Sequence, residues 1–209
     1  MKQSKNTYII MFMDDPYIYI NEHSLAPELC KDIIDIYEKT QNKYKATTIG
    51  GLNEDVLRAF QCPAENITDS DWSIIHSFLV KELTNNLKIY AKILDSKIGH
   101  DNRYKHMEDN LIYDSFHINK YECKIEGKYE YHIDTGLTKE TGQSRHTTFI
   151  WYLNDVVEGG ETEMKGYMRI KPEVGKLLLF PSTWTYPHCS RPVVSNDKYV
   201  IVGWLLTNK

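Results

Sequence analysis

The chain has 209 residues, of which 41% are hydrophobic and 26% charged, as expected for a globular protein with one full core. Its net charge of -4 provides no basic surface, so nucleic acid and anionic membranes are not expected partners. The four cysteines form no Cys-x-x-Cys pair, and the apolar run at 8–13 is too short for a signal peptide or a membrane span. These features predict a cytoplasmic protein without a disulfide framework.

The first helix is predicted to follow a short strand within residues 17–24. Ser24 is placed to cap it, and Pro27 falls in its first turn, where a missing N–H is tolerated. Apolar residues then recur every four positions from Leu25 to Tyr37. This spacing predicts an amphipathic helix with one buried face.

A second, longer helix is predicted from about residue 71 to residue 97. Apolar residues follow a helical period there, and Phe78 belongs to the predicted buried side. Residues 45–66, between the two helices, are mixed and interrupted by turn residues.

The pattern changes after residue 113 to short runs rich in β-branched and aromatic residues. Eight strands are predicted, at 115–122, 129–134, 147–153, 161–164, 167–171, 176–180, 184–189 and 198–206. Strands of this kind without intervening helices indicate a sandwich or barrel, so we predict an α+β fold. We expect one domain over residues 1–209, with a helical support region at 1–110 and a β core at 111–209.

A candidate metal site lies in the sequence KYEYHIDTG, at residues 128–136. His132 and Asp134 are two positions apart and share one face of a strand. Iron(II) oxygenases use two histidines and one carboxylate, so His188 is a candidate third ligand from a distant strand. The alternative is a polar tail on a surface strand, because a His-x-Asp pair often arises by chance.

The same alternation predicts that Glu130 faces the metal and that Tyr129 faces away from it. Lys198 follows His188 by ten residues and begins an apolar strand. If Lys198 is buried, it needs a counter-ion, which a dicarboxylic acid would provide. The alternative is that Lys198 lies at the solvent edge with its ammonium in water.

Four segments together resemble the prolyl 4-hydroxylase branch of the 2-oxoglutarate- and Fe(II)-dependent dioxygenases. That family combines Y-x-x-H-x-D, R-x-x-T-x-x-x-Y-L-N with G-G-E-T, and P-x-x-G before an apolar strand. It ends with a histidine, a Pro-Val pair four and five residues later, and a lysine ten residues after the histidine. The matching segments, in order, are KYEYHID (128–134), RHTTFIWYLNDVVEGGETEM (145–164), IKPEVGKLLLFPS (170–182) and HCSRPVVSNDKYVIVGW (188–204).

The resemblance implies that His132, Asp134 and His188 bind Fe(II), which 2-oxoglutarate chelates through its 2-oxo and C1 carboxylate oxygens. It implies that Lys198 holds the far carboxylate of 2-oxoglutarate. Two further residues, Thr162 and Tyr121, resemble family residues that assist this lysine. The segment that follows Tyr121 is one or two residues longer than in the family pattern.

The resemblance assigns a role less specifically at four other positions. Tyr152 and Thr148 line the cosubstrate pocket or belong to the strand core. Arg145 resembles a residue that faces the peptide substrate, or is a solvated charge at a loop end, and Trp204 packs near the iron or in the core. The polar loop at 135–145 is a candidate substrate loop.

The resemblance implies a double-stranded β-helix, or jelly roll, with N-terminal helices packed on one sheet. It implies hydroxylation of an unactivated C–H bond, with O2 and 2-oxoglutarate consumed, succinate and CO2 released, and ascorbate as an optional addition. The expected substrate is peptidyl proline in a peptide or protein; the alternatives are another residue type or a small molecule. A non-catalytic jelly-roll binding module and a zinc hydrolase are the rival classes. The sequence does not indicate an oligomeric state.

Overall fold

The computed structural model describes residues 15–98, 104–105, 107, 111–138, 142–166 and 168–207. The apolar run at 8–13 and the centre of the 135–145 loop lie outside the described residues. The helices are α1 (Pro27–Lys39) and α2 (Trp72–Ile98). The strands are β1 (Tyr19–Asn21), β2 (Tyr44–Lys45), β3 (Leu57–Arg58), β4 (Phe60–Pro63), β5 (Leu111–Tyr113), β6 (His117–Tyr121), β7 (Lys128–His132), β8 (Arg145–Tyr152), β9 (Thr162–Met164), β10 (Met168–Ile170), β11 (Leu177–Pro181), β12 (His188–Ser190) and β13 (Lys198–Thr207).

The strands form two antiparallel sheets. The larger one has the order β1-β11-β8-β13-β6-β4-β2, with β5 also paired to β13, and the smaller one has the order β10-β9-β12-β7-β3. Strands from the first half of the chain join both sheets, since β1, β2 and β4 lie in the larger and β3 in the smaller. The predicted "mixed" segment at 45–66 therefore supplies two short strands, β3 and β4, and the last residue of β2.

The central strands of the larger sheet are buried on both faces. On β8, Phe149 and Trp151 pack against the helices, whereas Ile150 and Tyr152 point into the space between the sheets. On β11, Leu177 and Leu179 face the helices, and Leu178 and Phe180 face the other sheet. This alternation confirms the predicted α+β layering, with helices covering one sheet.

Two predictions for the helices were wrong. Ser24 does not cap α1, which begins after Ala26 without a side-chain cap. The Ser24 hydroxyl instead donates to Glu82 and accepts from the Trp151 indole, each at 3.0 Å, and so ties the start of α1 to α2 and β8. Phe78 is 47% exposed, because the buried face of α2 follows Leu79 and Leu83 instead.

All four cysteines are free thiols. No helix within the described ranges combines the length and the apolar character needed to cross a membrane.

Candidate metal centre and active site

Three potential metal ligands converge at one end of the smaller sheet. Strands β7 and β12 are neighbours, and His132 stands directly opposite His188. One Asp134 carboxylate oxygen lies 3.6 Å from Nε2 of His132, and the other lies 3.6 Å from Nε2 of His188. One ligand atom from each residue falls within 4.8 Å of the others, and no second such cluster occurs in the described part of the chain.

Hydrogen bonds fix the orientation of all three ligands. The Nδ1 of His132 lies 2.8 Å from the Glu130 carbonyl oxygen, and the Nδ1 of His188 lies 3.0 Å from that of Tyr186. Carbonyls accept only, so each Nδ1 carries the proton and each Nε2 keeps its lone pair for a metal. Thr148 donates to Asp134 Oδ2 at 2.7 Å.

The protonation states also suit a divalent cation. Burial and the neighbouring His188 lower the pKa of His132 to about 4. Burial alone would raise the pKa of Asp134, but the two histidines, the Thr148 hydroxyl and the Trp204 indole outweigh it, so that this pKa is lowered. A neutral imidazole and an ionised carboxylate are the forms that ligate metals. Two histidines and one carboxylate on one side of a site fit Fe(II).

The structure corrects the predicted faces of β7. On β7 the two residues Glu130 and Tyr131 stand opposite a single residue of β12, Cys189. This two-to-one pairing is a β-bulge. The bulge reverses the alternation, so Glu130 is exposed and pairs with Lys128 rather than facing the metal. Tyr129 instead stacks on the His132 ring at 3.6 Å.

Lys198 lies 2% exposed at the opposite end of the site. Its ammonium donates to the Gly160 carbonyl at 2.8 Å and to the Ser190 hydroxyl, and lies 4.4 Å above the Tyr121 ring. No described carboxylate comes within ion-pair distance, and burial lowers the pKa of Lys198 to about 7. A buried cation without an anion fits the far carboxylate of a dicarboxylic acid.

A single cavity of about 180 Å³ connects the three metal-ligand candidates to Lys198. Nine of the ten predicted site residues line it, namely His132, Asp134, His188, Lys198, Tyr121, Thr162, Thr148, Arg145 and Trp204. The tenth, Tyr152, is fully buried and donates to the Thr162 hydroxyl at 2.6 Å. Arg145 stacks on Trp204, with 3.5 Å between the guanidinium carbon and the ring centroid.

Sequence reasoning missed the contribution of the first half of the chain. Residues 46–49, Leu57 and Gln61 all line the cavity, although they belong to strands of two to four residues and a turn. Such short strands carry no periodicity that would reveal them. Asn119 also lines the cavity and was not predicted as a site residue.

Comparison with known proteins agrees with this geometry. Residues 116–206 match the family model described as the 2OG-Fe(II) oxygenase superfamily. The chain is 33% identical to probable prolyl 4-hydroxylase 9 of Arabidopsis thaliana, over 44% of this chain and 40% of that protein. It thus spans less than half of the length of this relative.

Solved structures share the fold over most of the chain. The viral collagen prolyl hydroxylase of Paramecium Bursaria Chlorella virus-1 matches with a TM-score of 0.62 and 17% identity, covering 91% of this chain and 96% of that one. A Trichoplax adhaerens prolyl hydroxylase, solved with a hypoxia inducible factor oxygen degradation domain peptide fragment, matches with a TM-score of 0.67 and 15% identity, covering 92% and 84%.

These likenesses confirm the predicted double-stranded β-helix. Residues 116–206 thus resemble the 2OG-Fe(II) oxygenase superfamily, and the chain is similar to prolyl 4-hydroxylases.

Proposed function

We propose that this protein is an Fe(II)- and 2-oxoglutarate-dependent dioxygenase that hydroxylates an unactivated C–H bond, with peptidyl proline as the substrate. One observation carries the proposal. The cavity of about 180 Å³ is lined by the complete ligand set of His132, Asp134 and His188. It is also lined by the buried Lys198, which has no carboxylate partner among the described residues.

The reaction would convert the substrate C–H, O2 and 2-oxoglutarate to the hydroxylated product, succinate and CO2, with the bound iron supplying the redox chemistry. The three ligands hold the metal, and Thr148 keeps the Asp134 carboxylate turned towards it. Lys198 binds the far carboxylate of the cosubstrate. The apolar side chains of Ile150, Val200 and Val202 line the cavity and limit the access of water.

Arg145 supports a substrate with exposed carbonyl groups. Its guanidinium lies flat on Trp204, and no described carboxylate pairs with it, so its N–H donors are free for a ligand. Peptide backbone carbonyls are such acceptors, and one structural relative was solved with a peptide fragment. The same arginine would also pair with the carboxylate of a free amino acid or another small acid, which is the second candidate class.

The test is to incubate the protein with Fe(II), 2-oxoglutarate and a peptide library, while succinate and the incorporation of one oxygen atom are followed by mass spectrometry. Hydroxylation of proline-containing peptides is expected. Succinate formation without any oxygenated peptide would refute the peptide substrate and favour a small molecule. Asp134→Ala is the control, because it removes a metal ligand and should abolish turnover while the fold is retained.

A further inference from the structure

We propose that Asn119 is a cosubstrate-binding residue whose side-chain amide holds the 2-oxo acid end of 2-oxoglutarate, while Lys198 holds the far carboxylate. This inference rests on the function proposed above. It assigns a role to a polar side chain of the cavity that the fold itself does not satisfy.

The oxygen of the Asn119 amide has no partner that would explain its burial. The side chain is 7% exposed and lines the cavity, and its Oδ1 has no hydrogen-bond partner among the described residues. A buried, unpaired carbonyl oxygen destabilises a fold, whereas a leucine of similar branched shape would avoid that cost. The fold as described therefore leaves this oxygen unsatisfied.

Asn86 shows how a buried asparagine is accommodated elsewhere in the same molecule. It is 1% exposed, and its Oδ1 accepts from the Tyr19 hydroxyl and from Asn21, each at 2.9 Å. Its amide nitrogen donates to Glu82 and to Ser24. Asn86 is thus a structural asparagine, and Asn119 differs from it because its Oδ1 has no such partner among the described residues.

Strand register places Asn119 between Lys198 and the metal-ligand end of the cavity. Lys198 pairs with Tyr121, and Asn119 is two residues further along the same strand. On the other sheet, Ser190 touches the Lys198 ammonium, and His188 is two residues from Ser190. Two residues of strand span about 6.5 Å. Asn119 and His188 are thus each one such step along their strand from a residue that meets Lys198.

The step from Tyr121 to Asn119 and the step from Ser190 to His188 also run in the same direction, towards the metal ligands. Strand β13 leads from Lys198 past Val200, the partner of Asn119, to Trp204, which pairs with Thr148 beside Asp134. The carboxylate carbons of an extended five-carbon diacid are about 5 Å apart. A cosubstrate anchored on Lys198 would thus present its other end to the metal and to Asn119.

The chemistry of the amide matches that end of the ligand. A ketone and a carboxylate offer only acceptor oxygens, and an amide nitrogen offers two donors. The Asn119 amide also lies in reach of the Tyr121 hydroxyl. Rotation of the amide lets its oxygen accept from this phenol, while its N–H groups face the ligand, so binding satisfies the oxygen that is now unpaired.

The test uses protein loaded with Mn(II), a redox-inert substitute for Fe(II), and measures affinity by calorimetry. The ligands are 2-oxoglutarate and 2-oxopentanoate, which keeps the 2-oxo acid end and lacks the far carboxylate. Asn119→Leu should weaken both about ten- to one-hundred-fold, the value of one hydrogen bond to a charged group. Lys198→Met should weaken only 2-oxoglutarate. Asn119→Leu should keep or raise the melting temperature.

Asn86→Leu is the matched control, and it should lower the melting temperature but leave the affinity of the folded protein for both ligands unchanged. Unchanged affinity of Asn119→Leu for 2-oxoglutarate would refute the role of Asn119, and so would weakening of 2-oxoglutarate alone. Failure of the wild-type protein to bind 2-oxoglutarate would instead overturn the proposed function, and that result is seen before any variant is made.

Discussion

Thr148 is fully buried between two polar partners. Its hydroxyl donates to Asp134 Oδ2 at 2.7 Å and shares a second hydrogen bond of 2.7 Å with Ser182. Groups that orient a metal ligand typically contribute 10- to 100-fold to metal affinity. We therefore expect Thr148→Val to weaken Fe(II) or Mn(II) binding by about that factor, as measured by competition with a chelator.

Thr147 provides the control for this experiment. It is 1% exposed and neighbours Thr148, but its hydroxyl bonds to His146 instead of a metal ligand. Thr147→Val should leave metal affinity unchanged. Equal losses in the two variants would show that the Thr148 effect is one of packing.

Lys198 makes cosubstrate binding dependent on pH. Its pKa in the free protein is lowered to about 7 by burial, and only the protonated form attracts a carboxylate. A bound dianion raises this pKa, so affinity for 2-oxoglutarate is full below pH 7 and falls up to about tenfold per pH unit above it. Binding isotherms of the Mn(II) form between about pH 6 and pH 9 should follow this curve, and Lys198→Arg should flatten it. A wild-type affinity that is constant across this interval would contradict the assignment.

The sequence reveals these residues to unequal degrees. His132, Asp134, His188 and Lys198 belong to spaced motifs, so their chemical types and separations identify them. Asn119 belongs to no such motif, and Tyr129 belongs to Y-x-x-H-x-D but was predicted to face away from the metal. The place of both residues in the cavity depends on strand register and on a bulge. Register and bulges arise from pairing between distant segments, which a single sequence does not display.

At the scale of the element, the bulge in β7 decides which side chains surround the metal. It turns the Tyr129 ring onto His132 and sends the Glu130 side chain to the surface. Tyr129→Ala should therefore weaken metal binding, because His132 loses the ring that holds it in place. Glu130→Ala should change metal affinity by less than about twofold, since only its backbone carbonyl contacts His132. The reverse order of effects in a chelator competition would show that the bulge is absent in solution.

The turn before β9 depends on glycine. Gly159 has φ of +77°, and a Cβ there would lie 2.2 Å from the Pro192 carbonyl oxygen. Gly159→Ala should lower stability by well over 1 kcal/mol, because a clash with backbone adds to the cost of the left-handed conformation. Gly51 has φ of +95° with open space around it, so Gly51→Ala carries the conformational cost alone. Urea unfolding of both variants separates the two effects, and equal losses would rule out the clash.

At the scale of the whole molecule, two packed layers lie on opposite faces of the larger sheet and have different roles. The helix-side core contains Leu79, Leu83, Phe149 and Trp151, and its buried Asn86 is hydrogen-bonded within the fold. The layer between the sheets contains the cavity with its buried Lys198 and Asp134. Helix periodicity and alternating strands predicted the first layer well, since it depends on local pattern. The short strands that complete the second layer show no periodic pattern in the sequence.

This division predicts how ligands affect stability. The proposed site exists only in the folded protein, so metal and 2-oxoglutarate at 100 times Kd should each add about 2.7 kcal/mol. For a chain of this length, that corresponds to a rise in melting temperature of about 5–11 °C per ligand. Leu83→Ala should lower the melting temperature by creating a cavity in the helix-side core, yet keep the full ligand-induced rise. Asp134→Ala should lose the rise caused by the metal. If Leu83→Ala reduced the ligand-induced rise as well, the two layers would be coupled, and stability and binding would not be separable in this fold.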